Sequence, residues 1–444
     1  MSDILRELQP LLDEWAAEAG VPGAAVGILL DGEDTVLATG VSSVDAPLPV
    51  DGDSLFMVGS TTKTFTAAAI MALVEDGVLD LDVPVVEYLP DLPLADAGAR
   101  ASVTLRHLLT HTGGFLGDVE VDTGWGSDAL AEAVAGFGAL PQVFPTGEVF
   151  SYSNSGFMLA GHVAEVVSGS LYEDLVRERL LEPLGMTDSV FLPWEVLTRR
   201  HTVGHATRDG SPVVAHVLGL PRAAAAAGGL WSSARDQLRW ARFFLLGEAD
   251  GTPPLSEDSR VALWQPQRPA ALPFEEVGLS WLRTRHGAAQ LVRHGGNVSN
   301  LQVSEFVTLP SERFAVTVLT NSAGGSGLRP RVVDWCLENL AGVAPIPDLP
   351  VLPPERLAEY AGCYETGQLA FEFDVRDGGL WVRMAVEGDP GDAPPPFEVA
   401  FVGEDVVARA TDTRKPAARF VRDGDGRVAL VEFGGRTARL ASAG

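Results

Sequence analysis

Two periodicities alternate along this chain. Residues 4 to 15 place apolar side chains (Ile4, Leu5, Leu8, Leu11, Leu12, Trp15) three and four apart, which predicts a helix with one buried face. The runs "GAAVGILL" and "TVLATG" that follow are short and strand-like, and "DGED" between them supplies the turn of a hairpin. From Ser60 to about Glu75, "STTKTFTAAAIMALVE" is apolar almost all round after its first turn and stops at Gly77, the pattern of a wholly buried helix. Residues 100 to 285 read as further helices between glycine-rich loops, including "LRHLLTHTGG" and "NSGFMLAGHVAEVVSG". Strand character returns in "AAQLVRH", "LQVSEFVTL" and "RFAVTVLTN", separated by "GGNVSN" and "PSE", which predicts three consecutive antiparallel strands.

A helix around "RPRVVDWCLENLA" leads into the proline-rich "GVAPIPDLPVLPPE", which can neither continue a helix nor enter a central strand. This divides the chain into residues 1–342, a linker over 343–354, and a domain over 355–444. In the last part, alternation in "AFEFDVRDGGLWVRMAV" and "GRVALVEFGGRTARL" predicts a small antiparallel β domain.

Composition narrows the class of protein. With 444 residues, 46% hydrophobic and 21% charged, the chain can bury a large core in two or three domains. A formal charge of -28 repels phosphate backbones and anionic headgroups, so neither nucleic acid nor membrane is expected as a partner. The N-terminal "MSDILRELQPLLDEWAAEAG" has acids where a secretion signal needs basic residues, which suggests the cytoplasm. No apolar run reaches the roughly 20 residues of a membrane span. Cys336 and Cys363 sit in no metal-binding or redox pattern and are expected to be buried small hydrophobes. No H-E-x-x-H, clustered Cys and His ligands, phosphate-cradling glycines or G-x-S-x-G elbow occurs, so no metal or cofactor is implied.

The candidate chemistry begins with a scarcity. The chain has only two lysines, Lys63 and Lys415, and arginine carries the remaining positive charge. Residues three apart share a helix face, so Ser60 and Lys63 set a hydroxyl beside an amine. A serine hydroxyl needs a base to become a good nucleophile. Lysine in apolar surroundings can lose its proton and serve, whereas arginine cannot. The bland alternative is an exposed lysine beside a helix-capping serine. "FSYSNSG" adds Tyr152, one of five tyrosines, and Asn154. A phenol near an ammonium is expected to ionise more easily and shuttle protons, and the amide can hold both lysine and substrate. "VRHGGNVSN" puts His294 at the end of a strand, followed by Gly295 and Gly296, which admit a substrate backbone, and by Asn297. A second histidine motif at His111, Thr112 and Gly113 reads as structural.

In this order, "STTK", "YSN" and "HGG" resemble the three motifs of the serine β-lactamase and penicillin-binding-protein superfamily. The similarity is greatest to the branch of class C β-lactamases, D-aminopeptidases, esterases and peptide cyclases, and includes "GGLWSSARDQLRWARFF". The resemblance implies an α/β fold: an antiparallel five-stranded sheet with flanking helices and a helical lobe. It also implies that the C-terminal part, with "YAGCYE", is a lipocalin-like antiparallel barrel. By motif position Ser60 is then the nucleophile, Lys63 its base and Tyr152 the proton donor to the leaving group. Asn154 holds the substrate amide, the backbone N–H groups of Ser60 and Asn297 form the oxyanion hole, and His294 stands where the family has lysine.

The function this implies is a serine hydrolase of esterase or peptidase type, acting on a small-molecule ester or peptide through an acyl-Ser60 intermediate. An acyltransferase that cyclises nonribosomal peptides and a non-catalytic ligand-binding protein of the same fold remain the alternatives. Histidine in place of lysine weakens the positive field a β-lactam carboxylate seeks, so β-lactam hydrolysis is not expected as the main activity.

Overall fold

The computed structural model describes residues 2–119, 121–217, 219–353, 356–386 and 395–441. Helix α1 (Ser2–Glu18) delivers the chain to a hairpin of β1 (Gly23–Leu30) and β2 (Glu33–Gly40). Much later come β3 (Leu282–His286), β4 (Ala289–Val298), β5 (Gln302–Leu309) and β6 (Phe314–Thr320). All pair antiparallel in the order β2-β1-β6-β5-β4-β3, and β1 joins the early hairpin to the late strands with Ala24 opposite Thr320 and Leu29 opposite Ala315.

The five strands anticipated from the sequence are all in this sheet. Three more widen it to eight at the far edge: β3 and the two-residue strands Glu276–Val277 and Arg268–Pro269.

Both faces of the sheet are covered, which is why its central strands are buried continuously rather than in alternation. On β1, Ala24, Val26 and Ile28 point to one core, where Leu8 and Leu12 of α1 meet Leu328 and Val332 of a late helix (Gly325–Asn339). Ala25 and Leu29 point to the other core, with Phe65, Trp240, Phe243, Phe306 and Leu319. That second core also holds helix α2 (Thr62–Glu75), which is buried from Thr62 to Leu73 and packs against α3 (Asn154–Ser168) of the helical lobe. Ser153 caps α3 by accepting the Gly156 N–H, and Gly169 ends it at φ +70°.

The proline-rich residues 343–353 carry no regular structure, and the Leu352 N–H bonds the Phe401 carbonyl. The linker's last residue, 354, lies outside the described residues, as does residue 355, where the C-terminal domain was expected to start. Eight antiparallel strands from Gly362–Glu365 to Arg436–Leu440 then close into a barrel around Tyr364, Phe371, Phe373, Phe420 and Val431.

Cys336 is buried as expected, but Cys363 is only half-buried. Alternation along its strand turns Tyr364 inward and Cys363 out. Among the described residues no helix is long and apolar enough to cross a membrane.

Candidate active site

The sequence "VGSTTK" makes a 3-10 turn, Gly59–Thr61, that runs directly into α2. The side chain of Ser60 does not cap this helix, which leaves its hydroxyl free for other work. Two contacts hold the turn against the sheet: Ser304 Oγ of β5 donates to the Val58 carbonyl at 2.7 Å and lies 3.3 Å from Thr61 Oγ1. β4 passes so close that a Cβ on Gly296 would sit 1.9 Å from the Val58 oxygen. A Cβ on Gly59, which has φ +55°, would sit 3.1 Å from the Asn297 backbone nitrogen. Glycine at both places is what brings the third motif against the serine turn.

Lys63 is fully buried, and its amine has three partners: Ala227 O at 2.5 Å, Asn154 Oδ1 at 2.7 Å and Ser60 Oγ at 3.1 Å. The Asn154 amide is oriented by its other end, because Nδ2 donates to the Asp118 carboxylate at 2.8 Å and so Oδ1 must face the lysine. Burial drives the Lys63 pKa well below its ordinary value; Asp118 opposes this and Arg436 assists it. A neutral amine has two N–H donors and one lone pair. The two carbonyl oxygens accept both hydrogens, so the lone pair points at the Ser60 hydroxyl.

The Tyr152 ring lies 4.9 Å from the Lys63 nitrogen, and its hydroxyl is buried with no hydrogen bond of good geometry. Ser60 is the group close enough to draw its pKa down, but burial outweighs this and pushes the phenol up. The expectation of an easily ionised tyrosine is therefore overturned. Burial favours the neutral form of Lys63 and keeps the Tyr152 proton on its oxygen, as a donor.

His294 is also buried, and burial above all lowers its pKa to about 3. Its Nδ1 lies 2.8 Å from the Gly295 carbonyl, which can only accept, so the proton is on Nδ1 and Nε2 presents an unpartnered lone pair. The side chain of Asn297 turns out into solvent and exchanges 2.8 Å bonds with Asn300, which leaves only its backbone facing the serine turn.

Three further groups belong to the site that the motifs did not point to. His111 is stacked on Tyr152 at 4.3 Å, and its Nδ1 accepts the Ser153 N–H, so it positions the tyrosine loop. Asp118 ties Asn154 to Arg436, whose Nε and Nη2 grip its carboxylate at 2.6 and 3.0 Å. Arg436 comes from the last hairpin of the C-terminal barrel, where Gly435 O also accepts the Tyr152 N–H at 3.0 Å. Only the histidine carried a sequence signal, the "HTGG" motif. Nothing in "GGRTARL" links it to a loop almost three hundred residues earlier.

A serine, an unprotonated lysine and a protonated phenol within contact of one another can move a proton off the serine and onto a leaving group. Comparison with known proteins gives the family. Penicillin-binding protein 4 of Amycolatopsis lactamdurans is 34% identical over 371 residues, 80% of this chain and 96% of that protein. The solved structure of SurE superimposes with a TM-score of 0.74 at 28% identity, covering 99% of this chain and 100% of that one. The D-amino acid amidase of Ochrobactrum anthropi SV3, solved with D-phenylalanine, gives a TM-score of 0.65 at 26% identity over 77% of this chain and 100% of its own. Residues 8–334 match the family model described as Beta-lactamase, and by that match and the 34% relative the chain belongs to this family of penicillin-binding-protein-like serine hydrolases.

Proposed function

We propose that the protein acylates Ser60 with an ester or peptide-like substrate and releases the acyl group to water or to an amine. The observation that carries the proposal is the 3.1 Å contact between the buried Lys63 amine and Ser60 Oγ, where burial favours the neutral amine that can take the serine proton. Lys63 takes the serine proton as Oγ bonds to the carbonyl carbon, and the oxyanion rests on the N–H groups of Ser60 and Asn297. The carbon–heteroatom bond breaks as Tyr152 gives its proton to the leaving group. An ammonium and a phenolate then face each other and stabilise one another. In the second half the phenolate removes a proton from the acceptor, the acceptor displaces Ser60, and Lys63 returns its proton to Oγ.

Two similarities point to an aminoacyl or peptide carbonyl: SurE was solved with D-Leu, and a D-amino acid amidase with D-phenylalanine, L-phenylalanine and L-phenylalanine amide. Neutral His294 supplies no cation for a β-lactam carboxylate. Acyl transfer to a substrate amine, as in a peptide cyclase, is the second reading. It is favoured by the barrel, which adds Gly435 and Arg436 to the Tyr152 loop. A cytoplasmic setting belongs to the same proposal.

Intact-mass measurement after fluorophosphonate treatment tests the chemistry. The native chain gains one adduct and Ser60→Ala gains none; a native chain without an adduct is a binding protein and ends the proposal. Products from p-nitrophenyl esters, D-aminoacyl amides, nitrocefin and C-terminally activated peptides then separate hydrolysis from cyclisation.

A further inference from the structure

Lys63 lies one side chain from a carboxylate, an arrangement that ordinarily keeps a lysine protonated. Asn154 Oδ1 accepts from Lys63 and Asn154 Nδ2 donates to Asp118, so the Asp118 charge reaches the amine through a single amide. What separates this site from a simple ion pair is Arg436. Its fork engages both oxygens of Asp118, and the pair is only about a fifth exposed. Burial pushes the Asp118 carboxyl up, but Arg436 first and the bond from Asn154 after it hold it below its usual range, so it stays charged and spoken for.

Arg436 is not free to wander. Its neighbours on the same hairpin are fixed to the catalytic domain: the Gly435 N–H bonds the Leu272 carbonyl, Gly435 O accepts from Tyr152, and Thr437 Oγ1 donates to Phe150 O at 2.7 Å. The guanidinium also lies 5.2 Å from the Tyr152 ring centroid.

We infer that Arg436 is a positioning residue for acylation: the barrel inserts it to cancel the Asp118 charge, so that Asp118 can orient Asn154 without protonating Lys63. The inference rests on the acylation chemistry proposed above.

The other groups facing Lys63 do not do this work. Tyr152 is protonated, and buried His111 and His294 are both held neutral. Glu305, behind His294, is already matched by Arg293 and Arg329. Among the described residues it is Asp118 that raises the lysine's pKa and Arg436 that opposes it, in line with their positions.

The test is the pH dependence of fluorophosphonate labelling in the full-length chain, which needs no knowledge of the natural substrate. Arg436→Gln strands the carboxylate: labelling at pH 7 falls roughly tenfold and the acid limb moves to higher pH. Asp118→Asn leaves the arginine uncompensated, so its acid limb moves the opposite way, to lower pH. The Asp118→Asn/Arg436→Gln double variant, with no net charge removed, returns towards the native limb, and Arg436→Lys retains part of it.

A purely structural Arg436 predicts instead that the single and double variants are equally slow with an unmoved limb, and that result overturns the inference. If Arg436→Gln does not fold by near-UV circular dichroism, Asp118→Asn decides alone: a limb moved to lower pH supports the inference and an unmoved one overturns it. A native chain that never labels removes the acylation reading, and this inference with it.

Discussion

Lys63 is an expensive residue to fold, and the expense has a pH signature. Its pKa is 10.5 in the unfolded chain and well below that in the folded one. Between those two values the unfolded state binds one proton more than the native state, so stability rises with pH across that window and the penalty is gone above 10.5. Lys63→Met has no such slope. Its unpaired Ala227 and Asn154 oxygens add a cost, but one that does not change with pH. Urea unfolding from pH 7 to pH 9 is therefore expected to show the native chain gaining on Lys63→Met, by up to about 1.4 kcal/mol per pH unit. Equal slopes would mean the lysine is not held neutral. Labelling in this variant falls about 10²- to 10⁴-fold, the usual worth of a positioned base.

At this scale the sequence was readable where a scarce residue type stood at a telling spacing, as with Ser60 and Lys63. Tyr152 does lie beside the lysine, but burial makes its phenol harder, not easier, to ionise, and burial is a property of the assembled pocket that no motif records.

Among elements, the decisive contact is β4 against the Gly59–Thr61 turn, and it tolerates no side chain at Gly296. The obstacle there is the Val58 backbone carbonyl, which cannot swing aside. Gly296→Ala therefore has to push strand from turn, with a stability cost of about 1–3 kcal/mol. A 1 Å displacement of the oxyanion donors slows acylation about 10²-fold. Gly295→Ala is the control. Its Cβ meets first the end of the Arg329 side chain, at 2.9 Å, which can give way, so labelling changes far less. Labelling rates of the two variants, compared with their thermal midpoints, check this; equal losses would show that close approach at Gly296 is not what matters.

The strands around this contact were legible from their apolar runs, but β4 continues through Gly295, Gly296, Asn297 and Val298, where the glycines suggested a turn, because these residues pair with β5. Strand β3, "LRTRH", was not, since four of its five residues are polar and its strand character comes from pairing with β4. The two-residue edge strands are too short to leave any pattern.

At the scale of the whole molecule, alternation after the proline-rich stretch announced a β domain, and the barrel is there. What alternation could not convey is which rim of the barrel faces the cleft. That choice is made by hydrogen bonds between residues hundreds of positions apart: Gly435 with Tyr152 and Leu272, Thr437 with Phe150, Arg436 with Asp118.

Farther from the cleft, Lys415 meets Asp334 at 3.1 Å, but at 41% exposure this pair is worth about 1 kcal/mol or less. Docking thus depends chiefly on the hairpin that also serves the active site, while the Lys415 pair adds only to stability. Lys415→Met loosens a surface pair and should leave labelling intact. A chain ending at residue 353 keeps both apolar cores of the main sheet, so it is expected to fold by circular dichroism. It loses the acceptor of the Tyr152 N–H and the partner of Asp118 together, and labelling of the folded fraction should fall more than in Arg436→Gln alone, by well over tenfold at pH 7. A truncated chain that folds and labels at the native rate would show that the catalytic domain is complete without its barrel.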